Sequence, residues 1–506
     1  MCGLVCLWKI DDLALAERMT HRIAHRGGDA LCVRRAEYAP AIMGHARLAI
    51  IGTEAAEQPI ETNGLSLVAN GEILNYEALR AALDGRTFVS DSDCETVLHE
   101  FATGAPRWIA RPDGMFAFVI AAGDRVVAGR DPLGIKPLYC ATRGEGLAFA
   151  SELKAFDGEG FDTVRTIAPG SLFDSKDGER TWYRLPAGQH LDVSADATGE
   201  ADAHDISTEL RAVLEAAVAK WMVADVEVGS FLSGGLDSSV VAALAQRHLN
   251  HLGQGRRLKT FAVGAAGSPD LIAAQRVADH IGTDHHTLEI SSRDLIDAIP
   301  HVIRSLESAD IDLVSSALPT FFVSKLARGH VKTVLTGEGA DELFAGYAYH
   351  HAYADTPLSL AGELTRSLGQ MHNINLQRVD RITMGLALEA RPPFLDRDLI
   401  DFAQTIPSSL KMRRTDDGQT IEKWILRKAT EDLLPHDLVW RKKAQFDEGS
   451  GTVDVLQAGL AAELGVEAIS REAQGAYYEK ILREQFIEPE FIIANAGTWA
   501  ADRVTV

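Results

Sequence analysis

Between Cys2 and Arg184, apolar residues occur mainly in short runs separated by Gly, Asp and Asn, which is typical of strands joined by turns. The runs that we predict as strands are 41–44, 65–69, 115–121, 125–128 and 147–150. Two longer stretches, 13–24 and 77–83, carry apolar residues at helical spacing and interrupt the strands. The pattern predicts a layered α+β domain over residues 2–185.

The pattern changes at 186–205, where small and acidic residues dominate without a sustained period, and we predict an exposed linker there. Strand runs then alternate with amphipathic stretches: helix 206–220, strand 227–232, helix 238–248, strand 258–263, helix 271–281 and strand 331–335. This alternation predicts a parallel sheet with crossover helices. The chain after about residue 355 is predicted to be mainly helical, so that the second domain covers 206–506.

The composition of the 506 residues is that of a globular protein, with 46% hydrophobic and 24% charged residues. A net charge of −22, spread along the chain, disfavours nucleic acid and anionic membranes as partners. The longest apolar run, 115–122, has eight residues, well short of the roughly 18 of a membrane span. The five cysteines form no Cys-x-x-Cys pair, and the start lacks a signal-peptide pattern. We expect a reduced, cytoplasmic protein.

Cys2 directly follows the initiator methionine. Removal of Met1 would place a thiol and an α-amine on one residue, and the amine, with a pKa of about 8, can act as general base for the thiol. The alternative interpretation is a small buried hydrophobic residue near a chain end.

The most specific motif is Ser-Gly-Gly-Leu-Asp-Ser-Ser at 233–239, between a predicted strand and a predicted helix. Its glycines permit a tight turn, and the helix N-terminus favours an anion. The serine hydroxyls add donors, while Asp237 is placed to hold Mg²⁺ against phosphate oxygens. The string is that of the ATP-pyrophosphatase loop. It is neither a Walker A loop nor a Gly-x-Gly-x-x-Gly motif.

A second, acidic loop at 336–342 follows the predicted strand at 331–335. Both loops are expected at the carboxyl ends of parallel strands, where such sheets bind ligands. Asp341 suits a metal ligand and Glu338 a general base, although the loop alone is equally consistent with an ordinary turn. Lys443 is a candidate for neutralising phosphate charge, against the alternative of a solvated surface lysine.

Together these features resemble the glutamine-hydrolysing asparagine synthetases along nearly the whole chain. The strings that carry the resemblance are Met1-Cys2-Gly3, His25-Arg26-Gly27, 47–51, Asn70-Gly71-Glu72, 92–95, 129–134, 233–239, 261–264, 337–342, 389–391, 393–396, and Lys443 with Gln445-Phe446.

The resemblance implies an αββα N-terminal-nucleophile sandwich that acts as a glutaminase. A parallel-sheet α/β domain like the adenine-nucleotide alpha hydrolases, with a helical C-terminal region, would follow it. Cys2 would attack the glutamine amide, with Asn70 and Gly71 forming the oxyanion hole. The residues implied to bind glutamine are Arg47, Ile50, Asn70, Glu72 and Asp93.

In the second domain the resemblance implies ATP as a substrate with Mg²⁺. The implied ATP-binding residues are Leu232, Ser233, Gly235, Asp237, Ser238, Val263 and Gly337, with Asp237 and Asp341 as metal ligands. Glu338 would assist ammonia attack on an acyl-adenylate, and Lys443 would stabilise phosphate charge. A buried channel for ammonia and a possible homodimer are implied as well.

Two segments depart from the family pattern. His-Arg-Gly-Pro-Asp becomes His-Arg-Gly-Gly-Asp at 25–29, which removes no catalytic group. In the segment 307–316, Asp312 and Leu313 stand at threonine positions associated with aspartate binding, and Ser315 replaces an arginine. We expect aspartate as the acceptor, with a different carboxylic acid as the alternative.

Three rival interpretations are disfavoured. An amidotransferase that shares only the glutaminase half is disfavoured by the 233–239 loop, and relatives that form lactam or lasso-peptide rings are disfavoured by Cys2. A non-enzymatic sensor is disfavoured because both candidate sites retain their reactive residues.

Overall fold

The structure is a computed structural model that describes residues 2–52, 56–186, 200–253, 255–353, 356–415, 418–441 and 449–497. Its first part contains two six-stranded antiparallel sheets, and its second part a five-stranded parallel sheet surrounded by helices.

The strands of the first part are β1 Gly3–Trp8, β2 Ala30–Arg35, β3 Ala41–Arg47, β4 Ile60–Thr62, β5 Leu65–Ile73, β6 Gly114–Ala122, β7 Arg125–Arg130, β8 Tyr139–Arg143, β9 Gly146–Ala150, β10 Thr163–Thr166, β11 Ser171–Asp174 and β12 Gly178–Thr181. One sheet has the order β10-β8-β9-β1-β3-β2, and the other β12-β11-β7-β6-β5-β4. The helices are α1 Leu13–Arg22, α2 Tyr76–Ala82 and α3 Glu95–Ala102.

Alternation along the central strands creates the layers. On β1, Leu4 and Cys6 pack between the two sheets, whereas Val5 and Leu7 pack with the helix that contains Met19. The side chains of the second sheet also point to two faces: one face packs against the first sheet, and the other packs against α3. Because successive side chains of a strand point to opposite faces, each sheet is covered on both sides. The predicted αββα sandwich is confirmed.

The parallel sheet consists of β13 Val228–Phe231, β14 Lys259–Gly264, β15 Asp284–Glu289, β16 Thr333–Leu335 and β17 Glu389–Arg391. Its order is β15-β14-β13-β16-β17, and every pairing is parallel. A separate hairpin joins β18 Met412–Arg414 to β19 Thr420–Glu422.

The remaining helices are α4 Glu200–Trp221, α5 Leu236–His251, α6 Pro269–Ile281, α7 Ser292–Leu306, α8 Ile311–Arg328, α9 Ala340–Phe344, α10 Pro357–Gln370, α11 Asn375–Met384, α12 Arg397–Thr405, α13 Ser408–Lys411, α14 Trp424–Ala429, α15 His436–Val439, α16 Thr452–Leu464, α17 Arg471–Gln485 and α18 Pro489–Asn495. The predicted parallel-sheet domain with a mainly helical C-terminal region is confirmed. None of the helices in the described part of the chain has the length and apolar character needed to cross a membrane.

Several details differ from the sequence prediction. Helix α4 begins at Glu200, not at residue 206, because the alanine-rich, acidic start of the helix suits its first turns. Residues 187–199 of the predicted linker lie outside the described residues. Strands β15 and β17 were not predicted, because neither gives an apolar run: Leu288 is the only apolar residue of β15, and two of the three residues of β17 are charged.

Candidate active site

Cys2 lies directly before β1 and is buried, with 8% of its surface exposed. Its backbone nitrogen donates to Asn70 Oδ1 at 3.1 Å, so the residue is held against the second sheet. Burial raises the pKa of the Cys2 thiol. A base is therefore needed to form the thiolate, since the thiol does not ionise readily by itself in this environment.

Asn70 and Gly71 lie near the end of β5. Asn70 is completely buried, and its Nδ2 has no hydrogen-bond partner in the described part of the chain. A Cβ atom on Gly71 would stand 2.2 Å from Met115 O, so only glycine permits this close pairing with β6. An unpaired buried donor next to a nucleophile is the arrangement that an oxyanion hole requires.

Arg47 and Ile50 are placed by the end of β3 and the loop that follows it. Arg47 is 8% exposed, and its Nη2 donates to Gly52 O at 2.5 Å. Ile50 O accepts from the backbone nitrogen of Asp225, and Gly52 N donates to the Asp225 carboxylate at 2.7 Å. The loop that bears these residues is thus fixed by a residue from the second part of the chain.

Glu72 and Asp93 are buried carboxylic acids, each 4% exposed. Burial raises the pKa of Asp93 to about 6 even though Ile73 N donates to its Oδ2 at 2.5 Å. Burial, together with the nearby carboxylates of Glu389 and Asp93, raises the pKa of Glu72 well above its usual range. Two clustered carboxylates that ionise with difficulty form a ready site for an ammonium group, whose charge would stabilise both anions.

This clustering leads to a pH-dependent prediction. The carboxyl of Asp93 loses its negative charge as the pH falls through about 6, so an ammonium ligand loses its partner below that pH. We expect the KM for glutamine to rise by about tenfold per pH unit below pH 6. Steady-state glutamate formation between pH 5 and 8 measures this. The variant Asp93→Asn should show a raised KM with a flatter profile, and an unchanged KM down to pH 5 in the wild type would contradict the assignment.

Glu389 and Arg391, for which the sequence predicts no role, approach the same place from β17. Both are fully buried, and Arg391 Nε lies 2.5 Å from Glu389 Oε1. Arg391 Nη2 lies 3.8 Å from Glu72 Oε2, and Glu389 is among the charges that raise the pKa of Cys2. Their sequence signals were their place in the 389–391 string, which belongs to the family resemblance, and a pair of charges within an otherwise apolar stretch.

A second site lies at the carboxyl ends of β13 and β16, in a cavity of about 690 Å³. Chain order runs from β13 outward to β14 and β15, then returns to β16, so the cavity is at the point where the strand order reverses. Glu338 and Asp341 line this cavity. All the predicted ATP-binding residues line it as well, namely Leu232, Ser233, Gly235, Asp237, Ser238, Val263 and Gly337.

The loop at 233–239 has the geometry of an anion site. Ser233 N donates to Ser238 Oγ at 3.1 Å, and Gly234 adopts φ +75° where a Cβ would lie 2.5 Å from Ala274 N. Helix α5 starts at Leu236 without a side-chain cap, which leaves its first amide groups available to a ligand. A Cβ on Gly337 would stand 2.9 Å from that of Asp237, so glycine allows the two loops to touch.

Asp237 and Asp341 converge on one cation, the side chain of Lys423. Lys423 Nζ lies 2.6 Å from both Asp237 oxygens and 2.5 Å from Asp341 Oδ1, and the lysine is almost completely buried. Although burial disfavours its charge, the two carboxylates raise the pKa of Lys423. The donor set fits Mg²⁺, which prefers one or two carboxylates completed by phosphate and water oxygens. No cluster of three or more possible metal ligands occurs among the residues that the structure describes.

Glu338 faces the cavity and accepts from Arg378 Nη2 at 2.9 Å. Nearby, Glu342 accepts from Tyr347 OH at 2.6 Å and from Asn375 Nδ2 at 2.8 Å. Burial, with the adjacent Asp341 charge, raises the pKa of Glu342 to about 7. The predicted base at Glu338 is therefore held by an arginine, and a second carboxyl lies beside it.

The segment 307–316 contributes differently from what its sequence suggested. Glu307 is buried away from the cavity and accepts from Leu153 N and Lys154 N. Asp312 lines the cavity, but its charge is met by both terminal nitrogens of Arg471, at 3.0 and 2.7 Å.

Ser315 and Ser316 lie on different faces of α8. Ser315 accepts from Gln474 on α17 at 3.4 Å, whereas Ser316 lines the cavity. The Ser315 side chain therefore faces α17 and is not among the residues that line the cavity. Lys443, the remaining predicted residue, lies outside the described residues.

Comparison with known proteins assigns a class to each half of the chain. A family model described as a glutamine amidotransferase domain matches residues 1–177, and one described as asparagine synthase matches 209–361 and 354–494. The chain is thus an amidotransferase joined to a synthetase.

Individual related proteins identify the kind of synthetase. The glutamine-hydrolysing asparagine synthetase 3 of Arabidopsis thaliana is 36% identical over 89% of this chain and 79% of its own length. Those of Zea mays and Sandersonia aurantiaca are each 34% identical over 96% of this chain, and over 86% and 96% of their own lengths. The chain belongs to the family of glutamine-hydrolysing asparagine synthetases.

Solved structures resemble the chain only distantly. A glutamine phosphoribosylpyrophosphate amidotransferase from B. subtilis covers 56% of this chain and 81% of its own at 18% identity, with a TM-score of 0.33. An NMN synthetase from Francisella tularensis covers 56% of this chain and 94% of its own at 14% identity, with a TM-score of 0.25.

Proposed function

We propose that the protein hydrolyses glutamine at Cys2 and uses the ammonia to convert aspartate to asparagine, with ATP cleaved to AMP and pyrophosphate. The observation that carries this proposal is the convergence of Asp237 and Asp341 on one cation in the 690 Å³ cavity, in a chain whose other half holds Cys2 against Asn70. A cation between two carboxylates beside an uncapped helix start suits a magnesium–pyrophosphate group.

In the glutaminase site, removal of Met1 would give Cys2 an α-amine that takes the thiol proton. The thiolate would then attack the side-chain amide carbon of glutamine, and the α-ammonium of Cys2 would return the proton to the nitrogen, so that the C–N bond breaks, ammonia leaves and a thioester remains. Water would then hydrolyse the thioester to glutamate and the free thiol. Asn70 Nδ2 and the Gly71 amide would donate to the oxyanion, and each such donor contributes about 3 kcal/mol. Arg47 would bind the α-carboxylate, with Ile50 in the same loop, while Glu72 and Asp93 bind the α-ammonium.

In the synthetase site, Asp237 and Asp341 would hold Mg²⁺, which neutralises charge on the pyrophosphate when bound. Lys423 would then release the carboxylates and, together with Lys443, stabilise charge on the phosphate oxygens. Arg378 lines the cavity next to Glu338 and is the cation that we assign to a carboxylate of aspartate. Glu338 would take a proton from the attacking ammonia.

The first test measures pyrophosphate release from Mg-ATP and glutamine, with and without aspartate. We expect aspartate-dependent release with one asparagine formed per pyrophosphate, and the same products when ammonium replaces glutamine. Glutamine hydrolysis without aspartate-dependent pyrophosphate would reject aspartate as the acceptor and direct the search to other carboxylic acids.

We also propose a cytoplasmic enzyme that binds neither nucleic acid nor membranes, because of its net charge of −22 and its five cysteines without a paired motif. A homodimer is proposed from the family resemblance. Light scattering on the purified protein decides the last point, since a dimer doubles the chain mass of 54.8 kDa.

A further inference from the structure

The two candidate sites are connected by a network of buried charges at the contact between the two parts of the chain. Its members, all nearly or completely buried, are Arg26, Lys136, Glu152, Lys154, Glu307, Asp380 and Arg381. None of them was assigned a role above. Charges are buried in such numbers only when each is paired, so their positions are tightly linked.

Arg26 is the member that touches the nucleophile. Its Nε donates to the Cys2 carbonyl oxygen at 3.0 Å, while its two terminal nitrogens hold the Asp380 carboxylate at 2.8 and 3.1 Å. One terminal nitrogen also donates to Glu152 Oε1 at 2.6 Å. A planar guanidinium held at both ends has one orientation, so Asp380 determines the direction in which Nε points.

Asp380 belongs to α11, in the second part of the chain. The next residue, Arg381, donates to Ser151 O at 2.8 Å, and Ser151 pairs in turn with Leu4 of β1. Helix α11 therefore supports the start of β1 twice, once through Arg26 and once through Ser151.

The same helix reaches the other site. Arg378, two residues before Asp380, lines the synthetase cavity and donates to Glu338 Oε1 at 2.9 Å. Asn375 and Val379 of α11 line that cavity as well. Within four residues, one helix thus carries Arg378, the proposed acceptor-binding group, and Asp380, which binds the arginine that holds Cys2.

We propose that α11 positions the nucleophile from the second domain: Asp380 orients Arg26, Arg26 fixes the Cys2 carbonyl, and ligands that draw on Arg378 alter glutamine hydrolysis through this helix. Asp380 and Arg26 are positioning residues, since neither is assigned a contact with substrate. The inference rests on the proposed function and adds a physical connection between its two sites.

The test compares Asp380→Asn with the wild type in the full-length protein. We expect kcat for glutamine hydrolysis to fall at least tenfold with KM for glutamine within twofold, because Arg26 turns towards Glu152 and loses its hold on Cys2. Ammonium-dependent pyrophosphate release should stay within twofold. Adding Mg-ATP and aspartate should change the wild-type hydrolysis rate at least threefold and leave that of Asp380→Asn unchanged.

The matched control is Asp396→Asn, the same acid-to-amide change at a buried aspartate that pairs with Lys220 and Trp221 and with no member of the network. It should lower the melting temperature without a selective fall in kcat for glutamine hydrolysis. If Asp380→Asn does not fold, Arg26→Lys is the second variant. It keeps the positive charge but cannot bind Asp380 and the Cys2 carbonyl with one planar group, and it should show the same fall in kcat.

The outcomes separate this inference from the proposed function. Equal loss of both activities in Asp380→Asn, or an equal loss of glutaminase kcat in Asp396→Asn, would mean that the substitutions act only through the stability of the fold, and would overturn the inference. A wild-type hydrolysis rate that ignores Mg-ATP and aspartate would overturn the connection to Arg378. Failure of the wild type to hydrolyse glutamine at all would instead reject the proposed function.

Discussion

Cys2→Ala is expected to abolish glutamine-dependent amide synthesis, with a loss of roughly a thousandfold or more, while synthesis from ammonium stays within about twofold of the wild type. Among the residues described in the first site, the Cys2 thiol is the group that we assign to the covalent intermediate with the amide carbon. The second site is built from other strands, around the cation held by Asp237 and Asp341, so it does not depend on the thiol.

The measurement pairs two assays on the same preparation: glutamate formation from glutamine, and pyrophosphate release with ammonium and aspartate. Cys6→Ala is the matched control, because Cys6 is a fully buried cysteine of β1 that packs between the two sheets. It should retain both activities in proportion to the folded fraction. Residual glutamine-dependent synthesis in Cys2→Ala above about a hundredth of the wild-type rate would show that another group releases ammonia.

Asp237→Asn is expected to have the opposite effect, a loss of about a thousandfold in synthesis from either nitrogen source with glutamine hydrolysis maintained. A metal clamp on a transferring phosphoryl group contributes several kcal/mol, and about 4 kcal/mol corresponds to a thousandfold. The substitution removes one of the two carboxylates that meet at Lys423. The buried ammonium of Lys423 then has one negative partner instead of two.

Pyrophosphate release at increasing Mg²⁺ concentration measures this effect, with the melting temperature recorded in parallel. Asp279→Asn, an exposed aspartate on α6, is the matched control and should behave as the wild type. Full synthesis by Asp237→Asn at ordinary Mg²⁺ would contradict the assignment of the cavity. Loss of glutamine hydrolysis with an unchanged melting temperature would point to coupling between the sites beyond what we propose for α11.

The spacing of apolar residues along the chain predicted most of the fold, because each strand or helix places its apolar residues at the period that its packing layer requires. The alternation on β1 places Leu4 and Cys6 on one face and Val5 and Leu7 on the other, and the order of residues along a strand is enough to assign such faces. Strand β17 was missed because Glu389 and Arg391 satisfy each other's charge inside the protein, which a hydropathy pattern cannot register. Helix α4 was placed six residues late because small acidic residues suit both a linker and a helix start.

The sequence by itself determined the reactive groups: a cysteine after the initiator methionine, an Asn-Gly-Glu string, and a Ser-Gly-Gly-Leu-Asp-Ser-Ser loop between a strand and a helix. These are local features, since the chemistry depends on residue type and on the turn that presents it. Tertiary structure alone decided that Lys423, distant in sequence, lies between Asp237 and Asp341, and that Arg471 neutralises Asp312. It also decided that α11 joins the two sites. Ion pairs across the chain leave no periodic trace in sequence, because their geometry exists only once the packed layers bring the partners together.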